Sequence, residues 1–206
     1  QSLCCPSREL SCYITLAGLC ETLWPSCGEF IASDHCFIWN GSEDWIGLCD
    51  VTLAMPKRVH KSLIDWNPVS DRLLSACFLY RYGKMTIIVA YLQQVLEQTP
   101  SHDITIILTD ANATISSSVG FPSADPLWIQ PTGTIFIDPF PNGNGNYLLL
   151  CCYNNLFIAR NCFPCKFIRH WIWYSPDGYT RKAINHIIIS RSWRSPVTDC
   201  WIYRGT

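Results

Sequence analysis

The feature that most constrains the fold is a short run at residues 104–108, Ile-Thr-Ile-Ile-Leu, apolar and mostly β-branched and bounded by polar residues. Such a run reads as a strand buried on both faces. It stops abruptly at Thr109-Asp110-Ala111-Asn112. Asp110 and Asn112, one residue apart, are expected to project together from the same side of a sheet edge. A carboxylate and an amide placed together in this way suit phosphoryl chemistry: the acceptor orients or deprotonates a water, and the donor holds developing negative charge. Asp and Asn after a strand are also ordinary turn formers, and the local sequence is compatible with either reading.

Similar runs recur along the chain. Residues 9–12 read as the tail of a helix leading to an apolar strand at 14–19, which ends at Cys20-Glu21-Thr22-Leu23-Trp24-Pro25. Segments 28–32, 36–39 and 45–53 are separated by the polar turns Ser33-Asp34-His35 and Asn40-Gly41-Ser42, which predicts an antiparallel meander. Residues 67–72 (Asn-Pro-Val-Ser-Asp-Arg) read as a turn. Segments 73–80 and 85–91 form a strand pair through Arg81-Tyr82-Gly83-Lys84. A short amphipathic helix is expected at 92–98, before the strand at 104. Residues 114–146 are rich in Ser, Pro, Gly and Asn and read as a long rim loop. A buried helix at 147–153, closed by Asn154-Asn155, and a strand at 156–159 follow. Further on, Trp173 stands just before a Ser175-Pro176-Asp177-Gly178 hairpin turn.

A chain of 206 residues with 49% hydrophobic content is long enough for one domain with a sizeable core. No apolar run approaches the roughly 20 residues needed to span a bilayer, so no membrane partner is expected. The chain begins at Gln1 without a basic-then-apolar leader, which suggests a fragment of an intracellular protein whose 13 cysteines stay reduced. The sequons Asn40-Gly41-Ser42 and Asn112-Ala113-Thr114 would matter only in a secreted chain. Cys162 and Cys165 form a C-x-x-C with His170 and the Cys151-Cys152 pair nearby, yet zinc needs four converging ligands and only this one pair is well spaced. Charge is uneven. Residues 1–150 carry 7 Lys/Arg against 14 Asp/Glu (net -7) and residues 151–206 carry 8 against 2 (net +6), for the total of -1. A basic C-terminal quarter can meet a phosphate backbone or simply solvate an exposed face.

Asp110-Ala111-Asn112-Ala113 resembles the Gly-Asp-Phe-Asn-Ala motif of the endonuclease/exonuclease/phosphatase superfamily. Other segments resemble the same superfamily in order: Glu21 with Trp24, Tyr91 at a strand end, residues 170–181, and the run Ile184-Asn185-His186-Ile187. The pattern is most similar to the endonuclease domain of RTE-type (BovB-like) non-LTR retrotransposons and to craniofacial development protein 2-like domains. The resemblance implies an α/β fold, a four-layer α/β/β/α sandwich of two mixed, mainly antiparallel sheets, with residues 1–206 as one such domain incomplete at both ends. The family's first strand would precede Gln1, and its closing Ser-Asp-His would follow Thr206.

By the same resemblance, Glu21 ligates Mg²⁺ (or Mn²⁺), Asp110 orients the water, and Asn112 and Tyr91 contact the phosphate. Asn185 stands where the family has an Asp that orients a catalytic histidine, and Trp173 and Trp24 lie by the DNA. Leu23 replaces the family's arginine, and Leu92-Gln93 replace Ala-Pro after Tyr91. The implied activity is Mg²⁺-dependent hydrolysis of DNA phosphodiesters, catalytically impaired in a decaying copy of a mobile element. The implied setting is nuclear, with DNA as partner and a reverse transcriptase domain in a longer parent chain. The alternative is a DNA-binding or structural remnant of the fold with no enzymatic role.

Overall fold

Residues Cys27–Ala32 alternate exposed and half-buried side chains, the period-two pattern of an edge strand with one wet face. The computed structural model describes residues 15–42, 50–81, 83–90, 103–116, 140–153, 155–164, 166 and 171–200. They belong to two compact units, one of residues 1–91 with 100–103 and one of 92–99 with 104–206.

In the first unit β1 (Ala17–Cys20), β2 (Cys27–Ala32), β3 (His35–Asn40) and β4 (Val51–Pro56) form a four-stranded sheet in the order β1-β4-β3-β2. The expected meander is present, with its third strand at Val51–Pro56 where 45–53 was expected, residues 43–49 lying outside the described residues: β2 pairs β3 with Ile31 opposite Cys36, and β3 pairs β4 with Phe37 opposite Ala54. A short helix, α1 (Lys57–His60), leads into β5 (Leu63–Ser70), β6 (Leu73–Tyr80) and β7 (Gly83–Ala90), which pair antiparallel in chain order. Both β3 and β4 are buried almost throughout, because each of their faces is covered. On one face Phe37 and Ala54 pack with Trp24, Phe30 and Leu19. On the other, β3 and β4 pack against the β5–β7 ladder, whose Leu74, Ala76, Phe78, Ile87 and Val89 are buried.

One expectation is overturned in this unit. Residues 67–70 were expected in a turn but continue β5, and the reversal falls on Asp71-Arg72. Pro68 cannot donate to a ladder, and it is tolerated here because β5 ends its sheet. The pairing shifts register between Pro68 and Ser70, as an irregular edge permits. The helices expected at 9–12 and 92–98 lie outside the described residues.

In the second unit β8 (Ile104–Asp110) pairs β12 (Asn185–Ser190), which also pairs β9 (Leu156–Ile158), all antiparallel. Between β8 and β9 lies α2 (Gly143–Tyr153), and a 3₁₀ turn, Ala159–Cys162, follows β9. Phe157, Ala159 and Ile189 form a core with Ile106, Cys162 and Trp193. The Ser190 hydroxyl accepts the Thr105 N–H at 2.8 Å, closing the far end of the β8–β12 ladder. The small hairpin β10 (Trp173–Tyr174) and β11 (Arg181–Lys182) turns through Ser175–Thr180 as its Ser-Pro-Asp-Gly sequence indicates.

Three boundaries move, the first at β9, which ends at Ile158 where a strand to Ala159 was expected, because Ala159 begins the 3₁₀ turn. β8 runs on to Asp110, past its apolar stretch, because β12 continues to pair with it. α2 begins at Gly143, earlier than its apolar residues suggest, because Asn142 caps it. The expected class, α/β with mainly antiparallel sheets, is borne out: every pairing with a described register is antiparallel. No described helix is long and apolar enough to cross a membrane. Cys27, Cys36, Cys77 and Cys162 are free thiols.

Candidate active site

β8 and β12 bring two of the singled-out residues together by register alone. Asp110, the last residue of β8, pairs with Asn185, the first of β12. Both are half-buried, and the Asn185 Oδ1 is buried with no hydrogen-bond partner among the described residues. Ala111 and Ala113 are buried while Asn112 between them is exposed. Asn112 adopts φ +43°, the left-handed region that Asn tolerates better than most residues. The two-residue alternation of a strand therefore ends at Asp110, and Asn112 is set by a turn instead.

That turn is held by residues the sequence reading left in a loop. The Asn142 amide donates to the Asn112 carbonyl at 2.7 Å, and the Asn144 amide donates to the Ala111 carbonyl at 3.1 Å. The Asn142 Oδ1 accepts from the Thr114 N–H at 3.0 Å and the Gly145 N–H at 2.8 Å, and the Thr114 hydroxyl accepts the Asn142 N–H at 2.9 Å. Gly145 is required at the contact: a Cβ there would stand 1.8 Å from the Thr114 carbonyl oxygen. Beneath the turn the fully buried His186 donates from Nε2–H to the Ala113 carbonyl at 2.9 Å. Burial pushes its imidazole down to about 4, against the smaller raising effect of that hydrogen bond, so His186 is neutral at physiological pH. The run Asn142-Gly-Asn-Gly-Asn was the one signal of this support, a cluster of capping residues read only as loop composition.

In the first unit Glu21 and Trp24 sit on the bend after β1. Glu21 is exposed at φ +59°, and Leu23 and Ser26 are also left-handed. Asp50, only 3% exposed, organises the bend: its carbonyl accepts the Glu21 N–H at 3.1 Å, and its Oδ2 accepts the Thr22 hydroxyl at 2.6 Å and the Trp24 N–H at 3.0 Å. Sequence reasoning passed over Asp50 because its partners lie 26 and 28 residues away. Trp24 packs edge-on to Phe30, Phe37 and Trp39 at centroid distances of 5.1, 6.0 and 5.7 Å. Trp173 is 40% exposed on β10, with the Lys182 ammonium 5.9 Å from its ring centroid, and Arg181 lies 5.5 Å from that of Tyr174. Tyr91, Cys165 and His170 lie outside the described residues.

The donor set fits the divalent ion that the motif resemblance implies. Glu21 presents an exposed carboxylate on the bend, and Asp50, just before β4 and hydrogen-bonded to that bend, has a buried Oδ1 with no hydrogen-bond partner among the described residues. Mg²⁺ takes hard oxygen ligands and is held by one or two carboxylates plus waters, and both side chains are of that ligand type.

No protein-family model matches the chain. It is 29% identical over 204 residues to craniofacial development protein 2 of Bos taurus, an alignment covering 89% of this chain and 32% of that protein. The same protein of Tragulus javanicus aligns equally well, at 29% identity and 33% of its length. The chain thus spans about a third of the length of the curated relatives it matches. Among solved structures it is similar to the endonuclease domain of TRAS1, a telomere-specific non-LTR retrotransposon, with 13% identity, TM-score 0.49, and coverage of 90% of this chain and 75% of that one. D. rerio TDP2 complexed with single strand DNA product matches at 10% identity, TM-score 0.47, covering 76% and 62%. An endonuclease/exonuclease/phosphatase family protein from Leptotrichia buccalis matches at 11% identity, TM-score 0.46, covering 76% and 59%.

Proposed function

We propose that residues 1–206 are a single endonuclease/exonuclease/phosphatase domain of retroelement origin, built for Mg²⁺-dependent cleavage of DNA phosphodiesters and catalytically impaired in this chain. One observation carries the reading: the motif residue Asn185, 75 residues from Asp110, pairs with it across β8 and β12, at the end of the ladder where the Asn142-braced turn carries Asn112. In this reading the Asp110 carboxylate accepts the proton of the attacking water and aims its oxygen. The Asn112 amide and the Tyr91 hydroxyl donate to phosphate oxygens as negative charge builds on them. Glu21 holds Mg²⁺ (or Mn²⁺), which when bound would neutralise phosphate charge. The exposed Trp173 ring stacks on a base or sugar, a contact worth about 1–3 kcal/mol, while Arg181 and Lys182 meet the backbone.

Impairment follows from two substitutions. Asn185 cannot supply the charge of the Asp expected there, and Leu23 removes a cation near the phosphates. Losing one pre-organised transition-state donor costs about 10²–10³ in rate, and a general acid or base about 10²–10⁴. A nuclear setting and a reverse transcriptase elsewhere in a longer parent chain belong to the same proposal.

Incubation of the chain with supercoiled plasmid and Mg²⁺ tests it. The expected result is little or no nicking by the wild type, a rise on Asn185→Asp, and loss of that rise when Asp110→Ala is added. Nicking that survives Asp110→Ala would overturn the assignment, and rapid nicking by the wild type would overturn the impairment. A second reading, a DNA-binding module without enzymatic role, is favoured by the basic and aromatic β10–β11 hairpin. Salt-sensitive DNA binding with no nicking in any variant would select it.

A further inference from the structure

A second group of chemically reactive side chains lies in the first unit, on residues that the nuclease reading does not use. Glu29 is on β2, Cys36 on β3 and His60 at the end of α1, and their donor atoms all lie within 4.8 Å of one another. The His60 Nε2 stands 2.8 Å from the Glu29 Oε1, and the Cys36 thiol donates to the same oxygen over 3.5 Å.

The backbone fixes this grouping. Ile31 pairs with Cys36 across β2 and β3, so Glu29, two residues before Ile31, shares the face of the sheet that carries the thiol. α1 starts directly at the end of β4, and its Lys57 N–H donates to the Asp34 carbonyl in the β2–β3 turn at 2.9 Å. That bond ties the start of the four-residue helix, whose last residue is His60, to the strand pair bearing the other two groups. Cys36 is fully buried, whereas His60 and Glu29 side chains are 28% and 35% exposed, so the cluster has a wet side by which an ion can enter. Burial and then the adjacent Glu29 carboxylate push the thiol up to about 12, so without a cation it remains an uncharged donor.

The donor types and spacing suit one class of ion. With a tetrahedral centre about 2.3 Å from sulfur and about 2.0 Å from oxygen, the two ligand atoms stand about 3.5 Å apart. That is the Cys36–Glu29 separation already present. In the same geometry nitrogen and oxygen stand about 3.3 Å apart, so the 2.8 Å His60–Glu29 contact opens by about 0.5 Å. A thiolate with an imidazole and one carboxylate selects zinc-like ions over Mg²⁺, which demands oxygen ligands.

We propose that Glu29, Cys36 and His60 form a binding site for a zinc-class divalent cation, with water as its fourth ligand. Binding exchanges the Cys36 thiol proton for the metal, the proton passing to solvent, and clips the edge strand β2 to β3 and α1. The fourth position, open to solvent, makes the ion exchangeable.

Titration of the full chain, chelator-treated and kept reduced, with Co²⁺ alone tests the site. The expected signal is a thiolate-to-cobalt charge-transfer absorption reaching one equivalent, removed by Zn²⁺. Cys36→Ser abolishes it, and His60→Ala and Glu29→Gln each weaken affinity at least tenfold. Because Cys36 is a core residue, the decisive variants are the two at solvent-accessible positions, His60→Ala and Glu29→Gln, checked by circular dichroism for retained fold. Zn²⁺ raises the melting temperature of the wild type and not that of His60→Ala. No charge-transfer band, or a band whose affinity is unchanged in both of those variants, overturns the proposal and leaves the cluster an ion pair beside a thiol.

Discussion

Replacing Asn142 with alanine removes the brace of the candidate active site without touching any residue assigned to chemistry. Three interactions are lost. The Gly145 N–H loses the side-chain acceptor that caps α2, a change worth about 1 kcal/mol. The Thr114 N–H, on a residue only 4% exposed, is left without its acceptor, which costs about 1–3 kcal/mol. The Asn112 carbonyl loses its 2.7 Å donor, but Asn112 is exposed and water replaces the bond at little cost. Together these give a destabilisation of about 2–4 kcal/mol. Urea unfolding of the two proteins, compared at unchanged m value, measures it. Asn142→Asp separates the terms, since it keeps the acceptor for both N–H groups, adds a favourable charge at a helix N-terminus and loses only the donor to Asn112; its cost is below about 1 kcal/mol. An Asn142→Ala loss under about 0.5 kcal/mol, or an Asp variant as unstable as the Ala variant, would refute the bracing argument.

Other consequences follow from the same contacts. Gly145→Ala drives a Cβ into the Thr114 carbonyl oxygen 1.8 Å away, and thermal melting should show a loss of about 1–3 kcal/mol or more. Asp50→Ala strips the Thr22 hydroxyl and Trp24 N–H of their acceptor and should cost about 2–4 kcal/mol, with faster amide exchange at Trp24. His186 has a folded pKa of about 4, below its ordinary 6.5, so between those values the unfolded chain binds a proton that the folded chain does not. Stability is therefore lost as pH falls through that window, by up to about 3 kcal/mol from this group. The difference in urea midpoints between wild type and His186→Gln at pH 7 and pH 5 isolates it, and parallel pH dependence in the two proteins would contradict the burial argument.

Period-two patterning and turn residues made much of the sheet structure readable before any coordinates. The meander of β2, β3 and β4, the β6–β7 and β10–β11 hairpins and the strand carrying Asp110 all have local signals, because each strand's burial and each reversal is written in adjacent residues. What local sequence could not supply was context. Pro68 reads as a turn former, and only its place on the last strand of a sheet lets it remain in β5. The Asn-Gly-Asn-Gly-Asn run reads as loop, and only the Asn142 contacts to Thr114 turn its first residue into a cap and its next four into helix. Asp110 and Asn112 could be named from their motif, but the residues that hold them, Asn142, Asn144 and His186, are joined to them only through tertiary contacts. The cluster of Glu29, Cys36 and His60 was invisible for the same reason: its members lie on two strands and a helix end, with β4 between Cys36 and His60 in sequence.

The claim on which the functional account rests is that the Asp110–Asn112–Asn185 end of the β8–β12 ladder meets DNA phosphate. Side-chain amide NMR during titration with a short DNA duplex and Mg²⁺ tests it most directly. The account predicts saturable shifts of the Asn112 and Asn185 amide resonances, weakened by added salt. Saturable DNA binding that shifts other resonances while leaving these two amides unmoved would contradict it.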